Sequence, residues 1–227
     1  PVLVGRRRVE AGLLAVEELL CTALVLDDGF QHRHMARDLD IVLLPKEAPL
    51  GNGRLLPAGP LREPPINLHR AHLLWYHGFS REEPLTLGED SNIIVSRYRA
   101  EGLFRLSDNG AIPPQGLPVI LACAIARPDT LLTLAEEMGL KVLEKVAFPD
   151  HHLFTEDELD TLIARAKVMG AVVVLTEKDM VRLPPRAFVE EVAVVKVSVE
   201  LERGREHLLT RLQALMEEPH LELDEEP

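Results

Sequence analysis

The sequence predicts an α/β protein with a doubly wound, mostly parallel sheet, and three observations carry that prediction. Short β-prone apolar runs recur along the chain, at residues 2–4, 22–26, 41–44, 73–76, 119–124, 141–146, 171–175 and 192–197. Several are separated by segments whose apolar residues recur at helical spacing, the strand–helix–strand grammar of such sheets. Finally, most of the runs are continuously apolar rather than alternating, as strands covered on both faces are.

Taken in order, residues 2–4 end at Gly5 and are followed by Arg6, Arg7 and Arg8. Val9, Leu13, Val16 and Leu20 then recur as the apolar stripe of a helix leading into the strand expected at 22–26. That strand stops at Asp27-Asp28-Gly29, and the polar segment 31–38 leads to the next at 41–44. Residues 46–65 are too rich in Gly and Pro for a regular element and too long for an ordinary connection. After the strand at 73–76, residues 92–99 and 102–107 read as an antiparallel hairpin turning at Ala100-Glu101, and Pro113, Pro114 and Pro118 follow as a hinge.

A second βα series starts at 119–124. Pro128 and Asp129 open a helix with Leu131, Leu134, Ala135 and Met138 on one face and Gly139 at its end. After the strand at 141–146 comes Phe148-Pro149-Asp150-His151-His152, and Thr155 with Glu158 forms a T-x-x-E capping box for the next helix. Leu159, Leu162, Ile163 and Ala166 face its core, and Gly170 ends it. The strand at 171–175 runs into Thr176-Glu177-Lys178-Asp179. The last strand, 192–197, precedes a helix lined by Leu208, Leu212, Leu215 and Met216. There is no internal repeat. The expected organisation is a first α/β domain over 1–91, a linker over 92–117, a smaller α/β domain over 118–217 and an acidic tail over 218–227.

Composition narrows the function classes. Of 227 residues, 46% are hydrophobic and 27% charged, the balance of a globular protein, and no apolar stretch has the length of a membrane span. A net charge of −12 argues against a surface built to hold nucleic acid, and no such partner is expected. The two cysteines, Cys21 and Cys123, sit in apolar surroundings and read as buried free thiols of a reducing compartment. Pro1 opens the chain just before a strand, as in a fragment whose beginning lies upstream.

Three stretches could do chemistry. Asp27 and Asp28 would stand where a parallel strand ends, the edge at which α/β sheets bind ligands. Paired carboxylates there suit Mg²⁺ bridging to a phosphate, although an Asp-Asp-Gly turn accounts for the same residues. Arg54 and Arg62 project from the Gly/Pro-rich segment, where guanidinium groups suit phosphate recognition or are simply solvated. Asp150-His151-His152 offers an imidazole near a carboxylate before a helix start, a base or a helix-end cover. Lys178, between two acids, reads more simply as part of a surface ion pair.

Five motifs in register give a resemblance: Asp27-Asp28-Gly29-Phe30-Gln31-His32, the run 51–63 (GNGRLLPAGPLRE), Ala126-Arg127-Pro128, Phe148-Pro149-Asp150-His151-His152 and Thr176-Glu177-Lys178-Asp179. The chain resembles the tetraacyldisaccharide 4′-kinases, the lipid A 4′-kinases of Gram-negative bacteria, from Pro1 to its last helix. The resemblance implies a P-loop-type kinase core, its N-terminal part missing here, joined to a smaller α/β domain by a two-stranded β linker. It implies ATP- and Mg²⁺-dependent phosphorylation of the 4′-hydroxyl of a lipid A precursor disaccharide 1-phosphate. Peripheral association with the cytoplasmic face of the inner membrane would come through an N-terminal segment missing from this otherwise soluble chain.

Carried over by position, Asp27 and Asp28 would be a Walker-B-like pair, with Asp28 the metal ligand. Gln31 would lie near the nucleotide, and Arg8, His32, Arg54 and Arg62 near phosphates or substrate. His151 would support the catalytic base, with His152 as the fallback. Two departures stand out. Leu153 occupies the place of a proline usual in the family, and no Gly-Lys-Thr phosphate-cradling loop occurs in these 227 residues. The aspartate that partners the family's histidine is also missing. The chain as given is therefore expected to be inactive by itself. A non-catalytic homologue binding sugar phosphate or protein, and a metal-dependent phosphohydrolase, are the alternatives.

Overall fold

Residues 118–125 and 127–176 fold as the apolar pattern predicts, because each run finds a ladder partner and a helix to cover it. The structure, a computed structural model, describes residues 1–78, 92–125, 127–184 and 191–217. Strand β1 spans Ile41–Pro45, β2 Leu73–Gly78, β3 Ile93–Arg105, β4 Ala111–Ile112, β5 Pro118–Cys123, β6 Lys141–Ala147, β7 Val172–Thr176 and β8 Val192–Arg203. The helices are α1 Arg8–Glu17, α2 Asp129–Glu137, α3 Glu156–Met169, the short α4 Glu177–Met180 and α5 Arg205–Glu217. A 3-10 turn covers Pro65–Arg70. The expected acidic tail and Ala126 of the Ala-Arg-Pro motif lie outside the described residues.

The described chain forms two compact units, one from Pro1–Tyr76 with the start of β3 and the chain after Leu201, the other from Ser96–Leu201. In the second unit the strand order is β3-β8-β7-β5-β6, with β4 added to β3. Pairings β8–β7, β7–β5 and β5–β6 are all parallel, so each connection must cross over, and α2 and α3 do so. Alternate residues of one strand go to opposite layers. Ile120, Ala122 and Ala124 pack with Leu159, Leu162, Ile163 and Ala166 of α3. Val119, Leu121 and Cys123 pack with Leu131 and Ala135 of α2. This is the doubly wound, mostly parallel α/β arrangement the sequence predicts. Thr155 caps α3 through the expected box with Glu158, and Gly170 closes it in a left-handed conformation.

In the first unit β1, β2 and the start of β3 are neighbours, with Leu44, Leu74, Tyr76, Ile93 and Val95 forming a small core. Lys46, almost fully buried, pairs with Glu202 at 2.8 Å. Gly204 turns the chain from β8 into α5 at φ +82°, where a Cβ would lie 2.2 Å from the Ile93 carbonyl oxygen. No helix among the described residues is long and apolar enough to cross a membrane.

Three expectations are corrected. Residues 2–4 and 22–26 are not strands: they have no ladder partner among the described residues, and Val25 is 98% exposed. Asp27 and Asp28 therefore follow an irregular segment, not the end of a sheet strand. The supposed hairpin of 92–99 and 102–107 is one continuous strand, β3, because Ala100 and Glu101 stay extended. The true hairpin is β3 with β4, registered at Leu103↔Ile112 and Phe104↔Ala111. Strands β3 and β8 each have residues in both units. Of the cysteines, Cys123 is buried but Cys21 only half-buried; both are free thiols.

Candidate functional site

In the first unit, the run from Asp27 to His32 leaves no regular element to hold it, and side chains from the 62–70 segment do so instead. Asp28 adopts φ +51°, which short polar side chains tolerate better than most. Its carbonyl accepts from Arg8 Nη1 at 3.0 Å, and its carboxylate accepts from Arg62. That guanidinium holds the Asp28 carboxyl below the usual carboxylate range, with Arg8 adding a smaller effect. The two side chains are 58% and 57% exposed, so the pair adds little stability and is free to exchange partners.

Two further ties were not legible in the sequence. Glu63 accepts from Gln31 Nε2 at 3.0 Å and Asn67 Nδ2 at 2.7 Å, and from Arg70. Burial pushes the Glu63 carboxyl up, but these donors outweigh it and the net shift is downward. The Arg70 guanidinium lies 4.3 Å from the centre of the Phe30 ring. So Arg62, Glu63 and Arg70 take hold of Asp28, Gln31 and Phe30 in turn. His32 keeps its Nδ1 buried with no hydrogen-bond partner, and its carbonyl accepts from Arg37.

The Gly/Pro-rich segment is ordered by its own backbone. Asn52 Oδ1 accepts from Arg54 N and Asn52 Nδ2 donates to Ala58 O, both at 3.0 Å. Leu61 N donates to Arg54 O at 3.2 Å, and Leu56 N to Leu61 O at 2.9 Å. Gly59 is required there, since a Cβ would sit 2.1 Å from Asn52 Oδ1 and 2.3 Å from Arg54 O. This clamp sets Arg54 on an exposed turn and delivers Arg62 to Asp28.

Asp27 and Asp28 are both exposed and adjacent, a donor set that fits Mg²⁺, which commonly takes one or two carboxylates and keeps several waters. Among the described residues no group of three or more His, Cys, Asp or Glu is placed to hold a metal.

In the second unit the Asp-His-His turn precedes α3. His151 is 77% exposed, its Nδ1 2.9 Å from Arg182 Nη2 and its Nε2 3.6 Å from Asp150 Oδ2. His152 lies differently. It stacks on Phe148 with ring centres 5.0 Å apart and meets Glu158 at 2.9 Å, so it covers the start of α3. Asp179 of the Thr-Glu-Lys-Asp motif is fully buried, accepting from Ala124 N at 3.1 Å and from Thr176 N at 3.2 Å. Its motif is thus a structural joint between the ends of β5 and β7, while Lys178 faces solvent. The metal, phosphate and nucleotide candidates Asp27, Asp28, Gln31, Arg8 and Arg62 are brought together in the first unit, whereas His151 belongs to the second.

The family profile described as tetraacyldisaccharide-1-P 4′-kinase matches residues 1–217. A tetraacyldisaccharide 4′-kinase of Anaeromyxobacter dehalogenans (strain 2CP-C) is 44% identical over 223 residues, 91% of this chain and 59% of that protein. Another, from Rhodospirillum centenum, is 37% identical over 190 residues, 81% of this chain and 53% of that protein. Among solved structures, the "apo" form of LpxK from Aquifex aeolicus in complex with ATP superimposes with a TM-score of 0.64 at 30% identity. That match covers 92% of this chain and 62% of the Aquifex chain. The chain spans about three fifths of the length of the first curated relatives it matches.

Proposed function

Because the chain belongs to the tetraacyldisaccharide-1-P 4′-kinase family, we propose that it contributes to ATP- and Mg²⁺-dependent transfer of a phosphoryl group to the 4′-hydroxyl of a tetraacyldisaccharide 1-phosphate. The observation that supports this reading most is the Asp28–Arg62 pair, which joins two of the family's motifs 34 residues apart. A carboxylate that can take a metal and a guanidinium that can take a phosphate then stand side by side.

In this reading Asp28, with Asp27 beside it, would hold Mg²⁺, which when bound offsets negative charge on phosphate oxygens. Arg62 neutralises Asp28 before phosphate arrives and turns to the phosphate afterwards. Gln31, tied to Glu63, would meet the nucleotide, and Arg8 braces the Asp28 carbonyl. Arg54 and His32 are available to the sugar or its phosphate. His151 supports the catalytic base. The lipid substrate requires contact with a membrane surface, and we place that contact at the inner membrane. Phosphoryl transfer rests chiefly on positioning and charge stabilisation, which is what this set of residues can supply.

The test is radiolabel transfer from ATP to the disaccharide 1-phosphate by the full-length gene product. Label appearing at the 4′ position is expected. Phosphate release without lipid, or binding of sugar phosphate without transfer, would replace the kinase with a phosphohydrolase or a non-catalytic binder. Residues 1–227 alone contain no Gly-Lys-Thr loop, so they should bind ATP·Mg²⁺ weakly in calorimetric titration and transfer no label. Full turnover by these residues alone would overturn that part.

A further inference from the structure

His151 is held more firmly than the start of a helix requires. Its φ of +62° lies in the left-handed region, uncommon for a residue other than glycine although histidine enters it more readily than most, and its surroundings hold it there. Those surroundings converge on one side chain. Arg182 donates from Nη1 to the Ala124 carbonyl at 2.8 Å and from Nη2 to His151 Nδ1 at 2.9 Å. The same Ala124 carbonyl accepts from His151 N at 3.2 Å, and the Arg182 carbonyl accepts from Phe154 N at 3.1 Å. Arg182 is itself mostly buried, 3.9 Å from the fully buried Asp179, whose carboxylate also takes Ala124 N. The turn from Asp150 to Phe154 is thus fastened to the ends of β5 and β7 through Arg182.

We propose that Arg182 is the positioning residue of His151, fixing where the imidazole stands and which of its nitrogens carries the proton. A guanidinium has donors only, so His151 Nδ1 must present its lone pair to Arg182. The proton of the neutral ring then sits on Nε2, the nitrogen that faces Asp150. His151 is therefore set to donate a hydrogen bond from Nε2 and to orient a carboxylate, rather than to remove a proton itself. This rests on the reading of His151 as the histidine that supports the base, and it adds how that support is arranged.

Long-range ¹H–¹⁵N correlation on the labelled 227-residue chain, at a pH where the imidazole is neutral, reads the tautomer directly. A pyridine-type Nδ1 and a pyrrole-type Nε2 are expected for His151, and a proton on Nδ1 would overturn the proposal. Arg182→Met should shift His151 toward a mixture of tautomers; an unchanged pattern would overturn Arg182's part. In the full-length gene product, Arg182→Met should lower kcat on the order of 10-fold or more, as displacement of a reacting group does, with KM little changed. Arg182→Lys, which keeps a donor, should recover part of the loss. If His151→Ala lowers kcat and Arg182→Met does not, Arg182 is only a structural tie and the reading of His151 survives. If neither lowers kcat, the reading of His151 falls and this proposal with it. Should Arg182→Met fail to fold, the wild-type tautomer and the Arg182→Lys kinetics decide the matter.

Discussion

Residues 22–26, Thr-Ala-Leu-Val-Leu, and residues 171–175, Ala-Val-Val-Val-Leu, are close to interchangeable as sequence, and each runs into a polar turn with an aspartate. They end in opposite states. Val173, Val174 and Leu175 are fully buried in β7, which is bonded to β5 on one edge and β8 on the other. Val25 is almost wholly exposed, and no strand borders residues 22–26 among the described residues. The difference lies in the neighbours. A β-strand needs a ladder for its N–H and C=O groups and a layer over each face, and side chains alone supply neither. The same contrast extends to function. The Asp27–His32 run is held by exposed polar ties, whereas the His151 turn is fastened to a packed sheet.

The sharpest way to break this comparison is to truncate one apolar side chain in each run. Leu175→Ala removes a fully buried side chain and should cost about 2–5 kcal/mol in denaturant melts of the 227-residue chain. Val25→Ala should stay within about 0.5 kcal/mol, as surface changes do. Comparable losses from both would mean that residues 22–26 are packed in solution.

The two aspartates that follow these runs sharpen the contrast. Asp28 is more than half exposed and spends its carboxylate on Arg62, whereas Asp179 is buried and spends its own on backbone amides. Asp28→Asn in the full-length gene product should therefore lower kcat by ~10²-fold or more, the scale of losing one preorganised electrostatic group. Its melting temperature should hardly move. An Asp28→Asn protein that melts early and keeps its specific activity would make this turn structural, like that of Asp179.

Much of the second unit was legible because its signals are local and redundant. The Thr155–Glu158 box, Gly170 and the apolar stripe of α3 all mark one helix, and the sheet repeats that agreement from strand to strand. Less was legible where the answer depends on distant partners. The continuity of β3 through Ala100 and Glu101 is decided by its ladder, which no local window contains. Asp27, Asp28 and Arg62 stand out as residue types in a pattern, and Gln31 and His32 only through the family resemblance. Glu63, Arg70 and Arg182 do not, because an arginine or glutamate in a polar stretch looks the same whether it is solvated or holds a turn. Asp179 does not stand out from Glu177 beside it, and only its burial reveals the joint it makes.

The capping box offers a smaller, local effect. Thr155→Ala removes the acceptor for Glu158 N and should cost about 1 kcal/mol, typical of a lost N-cap, measurable as a lower denaturation midpoint. Serine, which keeps the hydroxyl, should restore most of it. A full loss with Thr155→Ser would assign the effect to the threonine methyl group instead of the cap.

The smallest effect is a dependence on pH, and it separates the two regions by chemistry. The Thr155 amide, the His152 ring and the Thr155 hydroxyl together pull the Glu158 carboxyl down to about 2 from an ordinary value of 4.5. In the unfolded chain these partners are gone, so the folded protein favours the ionised form. The sign follows from linkage: the contribution is complete above about pH 4.5, declines as the solution is acidified, and is lost as pH falls through about 2. Thermal melts of the 227-residue chain between neutral pH and pH 2 should show this decline, and Glu158→Gln should flatten part of it because the variant has no proton to take up. Asp28 is also held below its ordinary value, by Arg62, but its turn carries no packed element. Asp28→Asn should accordingly flatten the acid slope of the same melts less than Glu158→Gln does, because the exposed Asp28–Arg62 pair is screened by solvent. A slope that responds to Asp28 and not to Glu158 would reverse the assignment and make the Asp27–His32 run the more stably folded of the two regions.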